Sequence, residues 1–238
     1  MLNDLDCFEV SEPLGSFAVE IRVDPQQLRR NLQAIVGERS PFSGQRHLAE
    51  VESFIEKELA SYGLAVESDT FSYRGKNFRN IVGRLSAQRG ASLIILGAHF
   101  DSVEGTPGAD DNASGLAVLL EAARLLSRAR LRSELLFCAF NLEELNMIGS
   151  TYFAKKLKAA EVRVDAMISL EMIGYTDPRP GSQKYPIGLS WLYPERGDFI
   201  GVLVNAGDLV AEIGKAGAGN QPHIARANHG DSHETACF

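Results

Sequence analysis

Residues 92–102 read SLIILGAHFDS, an apolar run that ends on a histidine and an aspartate. A short run that is apolar on both faces is typical of a strand lying between two layers of helices. The segments ELLFCAF (134–140) and VDAMISL (164–170) have the same character. Helical patterns over about 114–130 and 150–160 separate the three segments. The sequence therefore predicts an α/β fold, a three-layer αβα sandwich with a mixed, largely parallel central sheet.

The segments upstream of residue 92 predict two helices and two further strands. Asp24 precedes a proline, and an acidic N-cap with proline in the first turn favours a helix start. A second helix is predicted over about 43–62, where apolar residues keep helical spacing and Gly63 provides a stop. Residues 65–72 alternate with a period of two, which predicts an exposed strand, and another strand is predicted at 78–85.

The length and the ends of the chain bear on domain organisation. At 238 residues the chain has the usual size of one α/β domain. We predict a single domain with a core at 23–193, an N-terminal extension at 1–22 and a turn-rich loop at 176–185. The tail, 215–238, is rich in Gly, Asn and His and has little periodicity, so no strand is predicted there.

The composition excludes several classes of protein. The net charge is −7 and no Lys/Arg cluster occurs, so nucleic-acid binding is not expected. No apolar run approaches the roughly 18 residues that a membrane span requires, so membrane insertion is not expected either. Cys7, Cys138 and Cys237 are odd in number and far apart, which argues against a disulfide scaffold and for a reducing compartment. The start of the chain has no signal-peptide pattern, which favours a cytoplasmic location, whereas secretion would require a different N-terminus.

Acidic and imidazole side chains follow all three apolar strands. In open α/β sheets, ligands bind beyond the carboxyl ends of the strands. The candidates are His99 and Asp101 after the first strand, Asp111 at the start of the next helix, Glu143 and Glu144 after the second strand, and Glu171 after the third. Each has a structural alternative when taken singly, such as a helix N-cap for Asp111 or Asn112. Together they indicate a bound cation, because converging carboxylates would otherwise repel one another and raise each other's pKa.

The types of ligand indicate which cation this is. Imidazole with carboxylate and no thiolate favours Zn²⁺, and less strongly Mn²⁺ or Co²⁺, over Ca²⁺ or Mg²⁺. Side chains two apart on an extended strand point the same way, so Asp101 is expected to accept a hydrogen bond from the second ring nitrogen of His99. The neighbours Glu143 and Glu144 are expected to diverge, one binding metal while the other serves as general base.

Four segments together resemble the M28 family of metallo-aminopeptidases, the co-catalytic zinc exopeptidases. They are GAHFDS (97–102), PGADDNASG (107–115), NLEELNMIGS (141–150) and SLEMIGY (169–175). The segments occur in the family's order, and the similarity covers roughly residues 23–193. The resemblance implies a zinc exopeptidase-like fold and an activity, the removal of N-terminal residues from peptides that have a free N-terminus.

The resemblance also implies a set of metal ligands. His99 would bind the first of two Zn²⁺ ions, and Asp111 would bridge both ions from a cis peptide bond with Asn112. Glu144 would bind the second ion. Glu171 stands where many members have an aspartate that binds the first ion, so this chain differs there by one methylene.

The catalytic roles follow from the same resemblance. Glu143 would be the general base that takes a proton from water activated between the two ions and returns it to the leaving amine. Asp101 would support His99 from behind. The free amine of the substrate would dock against a metal or a nearby carboxylate, for which Glu171 is a candidate.

The C-terminal part of the chain departs from the family pattern. Members complete the second zinc site with a histidine from a YHTxxD-type segment that follows further strands, and neither is recognisable here. The tail instead carries His223, His229 and His233. We therefore expect a chain that lacks the C-terminal part of the domain and holds two zinc ions or only one. The alternative is that His233 replaces the missing ligand.

Two other functions remain open at the level of the sequence. One is a glutaminyl-cyclase-like acyltransferase, which has the same fold and uses a single zinc ion. The other is an inactive, truncated relative that acts as a binding module. The complete set of acidic motifs favours a zinc-dependent aminopeptidase over both alternatives.

Overall fold

The structure, a computed structural model, covers the core of the predicted domain. It describes residues 22–87, 92–129, 131–184, 194–204 and 210–215. The tail residues His223, His229 and His233 lie outside these ranges, as does the predicted N-terminal extension apart from residue 22. The substitution of His233 for a family ligand therefore stays a prediction.

The described strands form one sheet of seven strands in the order β1-β2-β4-β3-β5-β7-β6. In chain order they are β1 (Ala65–Tyr73), β2 (Lys76–Leu85), β3 (Leu93–His99), β4 (Glu134–Phe140), β5 (Ala166–Glu171), β6 (Ile200–Val204) and β7 (Val210–Lys215). Strands β4, β3, β5 and β7 run parallel to their neighbours in that row, whereas β1–β2, β2–β4 and β6–β7 are antiparallel pairs. The predicted α/β fold with a mixed sheet, parallel at its centre, is confirmed.

Strands β6 and β7 are a feature that the sequence analysis did not predict. Strand β6 is only five residues long, and β7 interrupts its apolar residues with Glu212 and Gly214. Short and interrupted runs carry little periodicity of their own. Pairing with β5 supplies what the local pattern lacks, since Ser169 lies opposite Glu212 in a parallel ladder. The sheet consequently continues past residue 193, where the family-like core was expected to end.

The described helices begin and end close to the predicted positions. They are α1 (Pro25–Ile35), α2 (Gln45–Ser61), α3 (Gly115–Leu126) and α4 (Ile148–Ala159). Asp24 is the N-cap of α1, and its Oδ1 accepts a hydrogen bond of 2.8 Å from the N–H of Gln26. Gly63 follows the end of α2 with a φ of 84°, a left-handed conformation that glycine adopts without strain. The predicted start and stop signals are therefore confirmed.

An apolar core lies on each face of the sheet. Ile35 and Leu120, from α1 and α3, pack in the first core together with Phe137 of β4. Phe153 of α4 packs in the second core against Phe140 of the same strand, with 5.8 Å between the ring centroids. Full burial of such a side chain contributes about 1.5–3 kcal/mol, and the two cores together define the three predicted layers. No described helix is long and apolar enough to cross a membrane.

Candidate metal centre

The carboxyl ends of the three central strands bring predicted site residues together. His99 ends β3 and Glu171 ends β5, and these strands are parallel neighbours. Glu143 and Glu144 come shortly after the end of β4, which pairs with β3 on its other side. The side chains converge because parallel strands in register end at the same edge of the sheet.

Asp111 reaches the site from an irregular helical turn, Ala109–Ser114, that precedes α3. The peptide bond between Asp111 and Asn112 is cis, as the resemblance implies. The side-chain amide of Asn112 donates to the carbonyl oxygen of Leu170 at 2.8 Å and to Oε2 of Glu171 at 3.1 Å. Asn112 therefore fixes the turn to the end of β5 and orients the Glu171 carboxylate, a role that its helix-cap interpretation did not include.

The ring nitrogen Nε2 of His99 lies at the centre of the acidic residues. It is 3.0 Å from Oδ1 of Asp111, 3.5 Å from Oε1 of Glu171 and 3.9 Å from Oε2 of Glu143. Two groups of potential ligands share this histidine, one with Asp111 and Glu171 and the other with Glu143 and Glu144. Within each group the ligand atoms lie within 4.8 Å of one another. An ion beside His99 would find imidazole and carboxylate ligands from three loops.

Asp101 lies behind the histidine and is completely buried. Its Oδ1 is 3.4 Å from Nδ1 of His99, but Nδ1 makes no hydrogen bond in the described part of the chain. The expected hydrogen bond is thus not formed, because the Asp101 oxygens point at main-chain amides instead. They accept from the N–H groups of Glu143 at 3.0 Å and Glu144 at 3.1 Å. Asp101 therefore holds the loop that carries both glutamates.

The electrostatics of the site show a shortage of positive charge. Burial raises the pKa of Glu144 to about 8, with repulsion from Asp111 adding to the shift. Burial likewise raises the pKa of Glu143. At His99 burial lowers the pKa, but attraction to Glu171 and the acids around it outweighs burial, so the net pKa lies well above its ordinary value. The raised pKa values mean that these side chains keep protons at the positions where a cation would bind.

The residues present fit a zinc ion. The site offers one buried imidazole and several carboxylates, which is a ligand set that zinc accepts. The free thiol of Cys138 is buried within β4, where its pKa is raised by burial, and it takes no part in the two ligand groups. Exclusion of a thiolate agrees with the ligand types expected from the sequence.

Residues 80–193 match the family model described as Peptidase family M28. This region of the chain belongs to peptidase family M28. Curated proteins similar to the chain include the uncharacterised protein YfbL of Escherichia coli K12, which is 38% identical over 79% of this chain and 62% of its own length. Another is aminopeptidase YwaD of Bacillus subtilis, which is 34% identical over 43% of this chain and 23% of its own length. The chain thus spans less than two thirds of these curated relatives.

Solved structures support the same assignment of the fold. The aminopeptidase from Aneurinibacillus sp. strain AM-1 superposes with a TM-score of 0.62 over 82% of this chain and 86% of its own, at 18% sequence identity. The M28 domain therefore has the zinc exopeptidase-like fold that its motifs imply.

Arg39 is the residue near the M28 site that the sequence analysis did not single out. It is completely buried, in the connection between α1 and α2. Its main-chain N–H donates to Oγ of Ser102, only one residue beyond Asp101. A lone arginine in a loop forms no motif, and its partners near the site lie 61–69 residues away, so no local pattern could have indicated it.

Proposed function

We propose that the M28 domain is a zinc-dependent aminopeptidase that removes N-terminal residues from peptides, with two zinc ions and Glu143 as general base. The carrying observation is the convergence of acids from three loops on Nε2 of His99, at 3.0 Å for Asp111. Membership of family M28 and similarity to a protein named aminopeptidase support the proposal.

The first of the two groups around the histidine matches the ligand set that the resemblance implies for the first ion: His99, Asp111 and Glu171 would hold it. For the second ion the resemblance implies Asp111 and Glu144, and Glu144 belongs to the second group, beside Glu143. Zinc bound there would polarise the scissile carbonyl and lower the pKa of water. Asn112 leaves Oε1 of Glu171 facing His99 because it engages the other oxygen, Oε2.

Glu143 is suited to move the proton. Its side chain is 35% exposed, so it borders both the buried ligands and the open side of the site. Burial and the neighbouring acids raise its pKa, which brings a carboxylate closer to the range of an efficient general base. The bond from its N–H to Asp101 fixes the main chain at this position. Glu143 would take a proton from the attacking water and deliver it to the leaving amine.

The surroundings of the site suit the N-terminus of a peptide. An excess of carboxylates attracts a free α-ammonium group, and Glu171 is the candidate for this contact. Large apolar side chains are exposed on the same three loops, at Val103, Met147 and Tyr175. They would provide apolar contacts for the side chain of the first residue, so we propose a preference for substrates with a large apolar N-terminal residue.

The test combines a count of the bound zinc ions with an assay of anilide hydrolysis and an assay of the cyclisation of an N-terminal glutaminyl peptide. The zinc-loaded chain is expected to bind two zinc ions and to hydrolyse amino-acid anilides with apolar side chains. Glu143→Gln should retain zinc but lower kcat by about 10²- to 10⁴-fold. Glu104→Gln, in an exposed acid of the loop after β3, is the matched control and should leave kcat unchanged.

Three other outcomes would contradict the proposal. Cyclisation of an N-terminal glutaminyl peptide without anilide hydrolysis would favour the cyclase-like acyltransferase. Binding of fewer than one zinc ion without turnover would favour a binding module. Full activity of Glu143→Gln would remove this residue from the mechanism while leaving the peptidase activity standing.

A further inference from the structure

Arg39 is a completely buried cation whose side chain bonds to main-chain carbonyl groups. Its Nε donates to Phe100 at 2.7 Å, and its two terminal nitrogens donate to four more carbonyl oxygens. These are Ile35 at 3.0 Å, Gly37 at 2.6 Å, Pro107 at 2.9 Å and Gly108 at 2.9 Å. Only arginine offers five donors in a rigid planar fork.

Three of the five acceptors, Phe100, Pro107 and Gly108, belong to two segments that carry the metal centre. Phe100 stands between His99 and Asp101 at the end of β3. Gly108 leads directly into the turn that holds Asp111. One side chain therefore ties together the two segments that supply His99 and Asp111, whose ligand atoms lie 3.0 Å apart.

Gly108 shows how closely the guanidinium fits this position. Its φ of 52° is left-handed, and a Cβ added there would lie 2.5 Å from Nη2 of Arg39. The same Cβ would lie 2.7 Å from Cβ of Ser102, whose hydroxyl accepts the Arg39 N–H at 2.9 Å. The main chain of Gly37 adds a parallel link by donating to Pro107 at 2.9 Å. The guanidinium of Arg39 therefore packs directly against the segments that carry the metal centre.

The charge of Arg39 acts in the same direction as its hydrogen bonds. Burial lowers its pKa to about 10, so it stays protonated at neutral pH, and attraction to Asp101, Asp111 and Glu144 opposes the shift. A desolvated charge is costly unless it is fully hydrogen-bonded. The attraction between this charge and the three acids favours the same arrangement of the site as the hydrogen bonds do.

We propose that Arg39 is a positioning residue of the metal centre, which sets the separation of His99 and Asp111 by holding Phe100 and Gly108. The inference rests on the proposed zinc function. Arg39 touches neither substrate nor ion and acts through the main chain on either side of the ligands.

The test is Arg39→Lys in the full chain, with zinc affinity measured by competition with a chelator. Lysine keeps the charge but has one nitrogen, which cannot reach carbonyls in both segments. Loss of a supporting residue typically costs about 10- to 100-fold in metal affinity, and we expect a loss in this range. At saturating zinc, kcat should fall while KM stays within about twofold, since the substrate contacts are intact.

Arg124→Lys is the matched control. Arg124 pairs with Glu121 on α3, with 2.6 Å between Nη2 and Oε1, and holds no segment of the centre. Its zinc affinity should stay within about twofold of the unmodified chain, as expected of an independent site.

A second variant covers the case in which Arg39→Lys does not fold. Ser102→Ala removes the acceptor of the Arg39 N–H and should lower zinc affinity by about two- to tenfold, the effect of one hydrogen bond. Folded Arg39→Lys or Ser102→Ala with unchanged zinc affinity would overturn the positioning role while leaving the peptidase proposal intact. An unmodified chain that binds no zinc would overturn both.

Discussion

The acidic residues on α2 and those at the carboxyl edge of the sheet differ in how their negative charge is balanced. On α2, Glu52 and Glu56 both bind Arg79, at 2.9 Å and 2.5 Å. At the sheet edge, the carboxylates of four acids lie 3.0–3.9 Å from the ring nitrogens of one imidazole, that of His99; the acids are Asp101, Asp111, Glu143 and Glu171. Paired acids fasten a helix to a strand, whereas clustered acids around a single histidine leave a charge that an ion can satisfy.

The clustering of acids around His99 changes their protonation. Burial and mutual repulsion raise the pKa of Glu144 to about 8. On α2 burial also raises the pKa of Glu52, but the guanidinium of Arg79 opposes that shift. Natural folds keep strained or repelling groups mainly at functional sites. The contrast predicts that changes at the two places separate zinc binding from stability.

The largest effect is expected from His99→Ala. His99 belongs to both groups of ligands, so its loss removes a ligand from either arrangement. Zinc affinity should fall by more than the roughly 10- to 100-fold that a supporting residue costs, and anilide hydrolysis should fall with it. Chelator competition and initial rates measure the two effects.

His47→Ala is the matched histidine control for that experiment. His47 lies on α2, where its Nδ1 is 3.3 Å from Glu50. Zinc affinity should stay near that of the unmodified chain. Equal loss of affinity in both variants would mean that the contrast between the two regions does not hold.

The next effect is a pH dependence of the metal-free protein. The folded chain keeps a proton on Glu144 up to about pH 8, whereas the unfolded chain releases it near the ordinary value of 4.5. The raised pKa of His99 acts in the same direction above 6.5. Because the folded state binds more protons, the free energy of unfolding should decrease as pH rises from about 4.5 to about 8.

Zinc should reverse this trend. An ion takes the place of the retained protons, so the stabilisation it gives grows with pH. Thermal melts at constant ionic strength, with chelator or with excess zinc, measure both slopes. If the stability measured in chelator stays constant or increases as pH rises, the acids at the sheet edge are compensated like those on α2.

The sequence predicts the central parts of the fold because their signals are local. Strands β3 and β4 and the N-cap at Asp24 follow from unbroken apolar runs and from capping chemistry, and the structure confirms them. The convergence of acids follows from a general rule about strand ends. Strand β7 and Arg39 were missed for one reason: pairing with distant main chain defines both. Strand β7 pairs with β5, and Arg39 reaches carbonyls at Phe100 and Gly108.

The smallest effect is expected from Arg79→Met, which removes the cation that pairs with the acids on α2. Methionine keeps most of the apolar stem but leaves Glu52 and Glu56 without their cation. The side chains are 28%, 15% and 32% exposed, so solvent screens part of the loss and the free energy of unfolding should fall by about 1–3 kcal/mol. Urea denaturation measures the change, and zinc affinity should stay within about twofold.

One hydrogen bond lets this prediction test whether the acids on α2 and the metal centre are independent. Oε1 of Glu52 accepts a hydrogen bond of 3.2 Å from the side chain of Asn141, which lies two residues before Glu143. If the two regions are independent, Glu52 keeps this bond when Arg79 is replaced, and zinc binding does not change. A loss of zinc affinity in Arg79→Met, beyond the loss of stability, would show that the compensated acids help to hold the general base through Asn141. The two regions would then be one network.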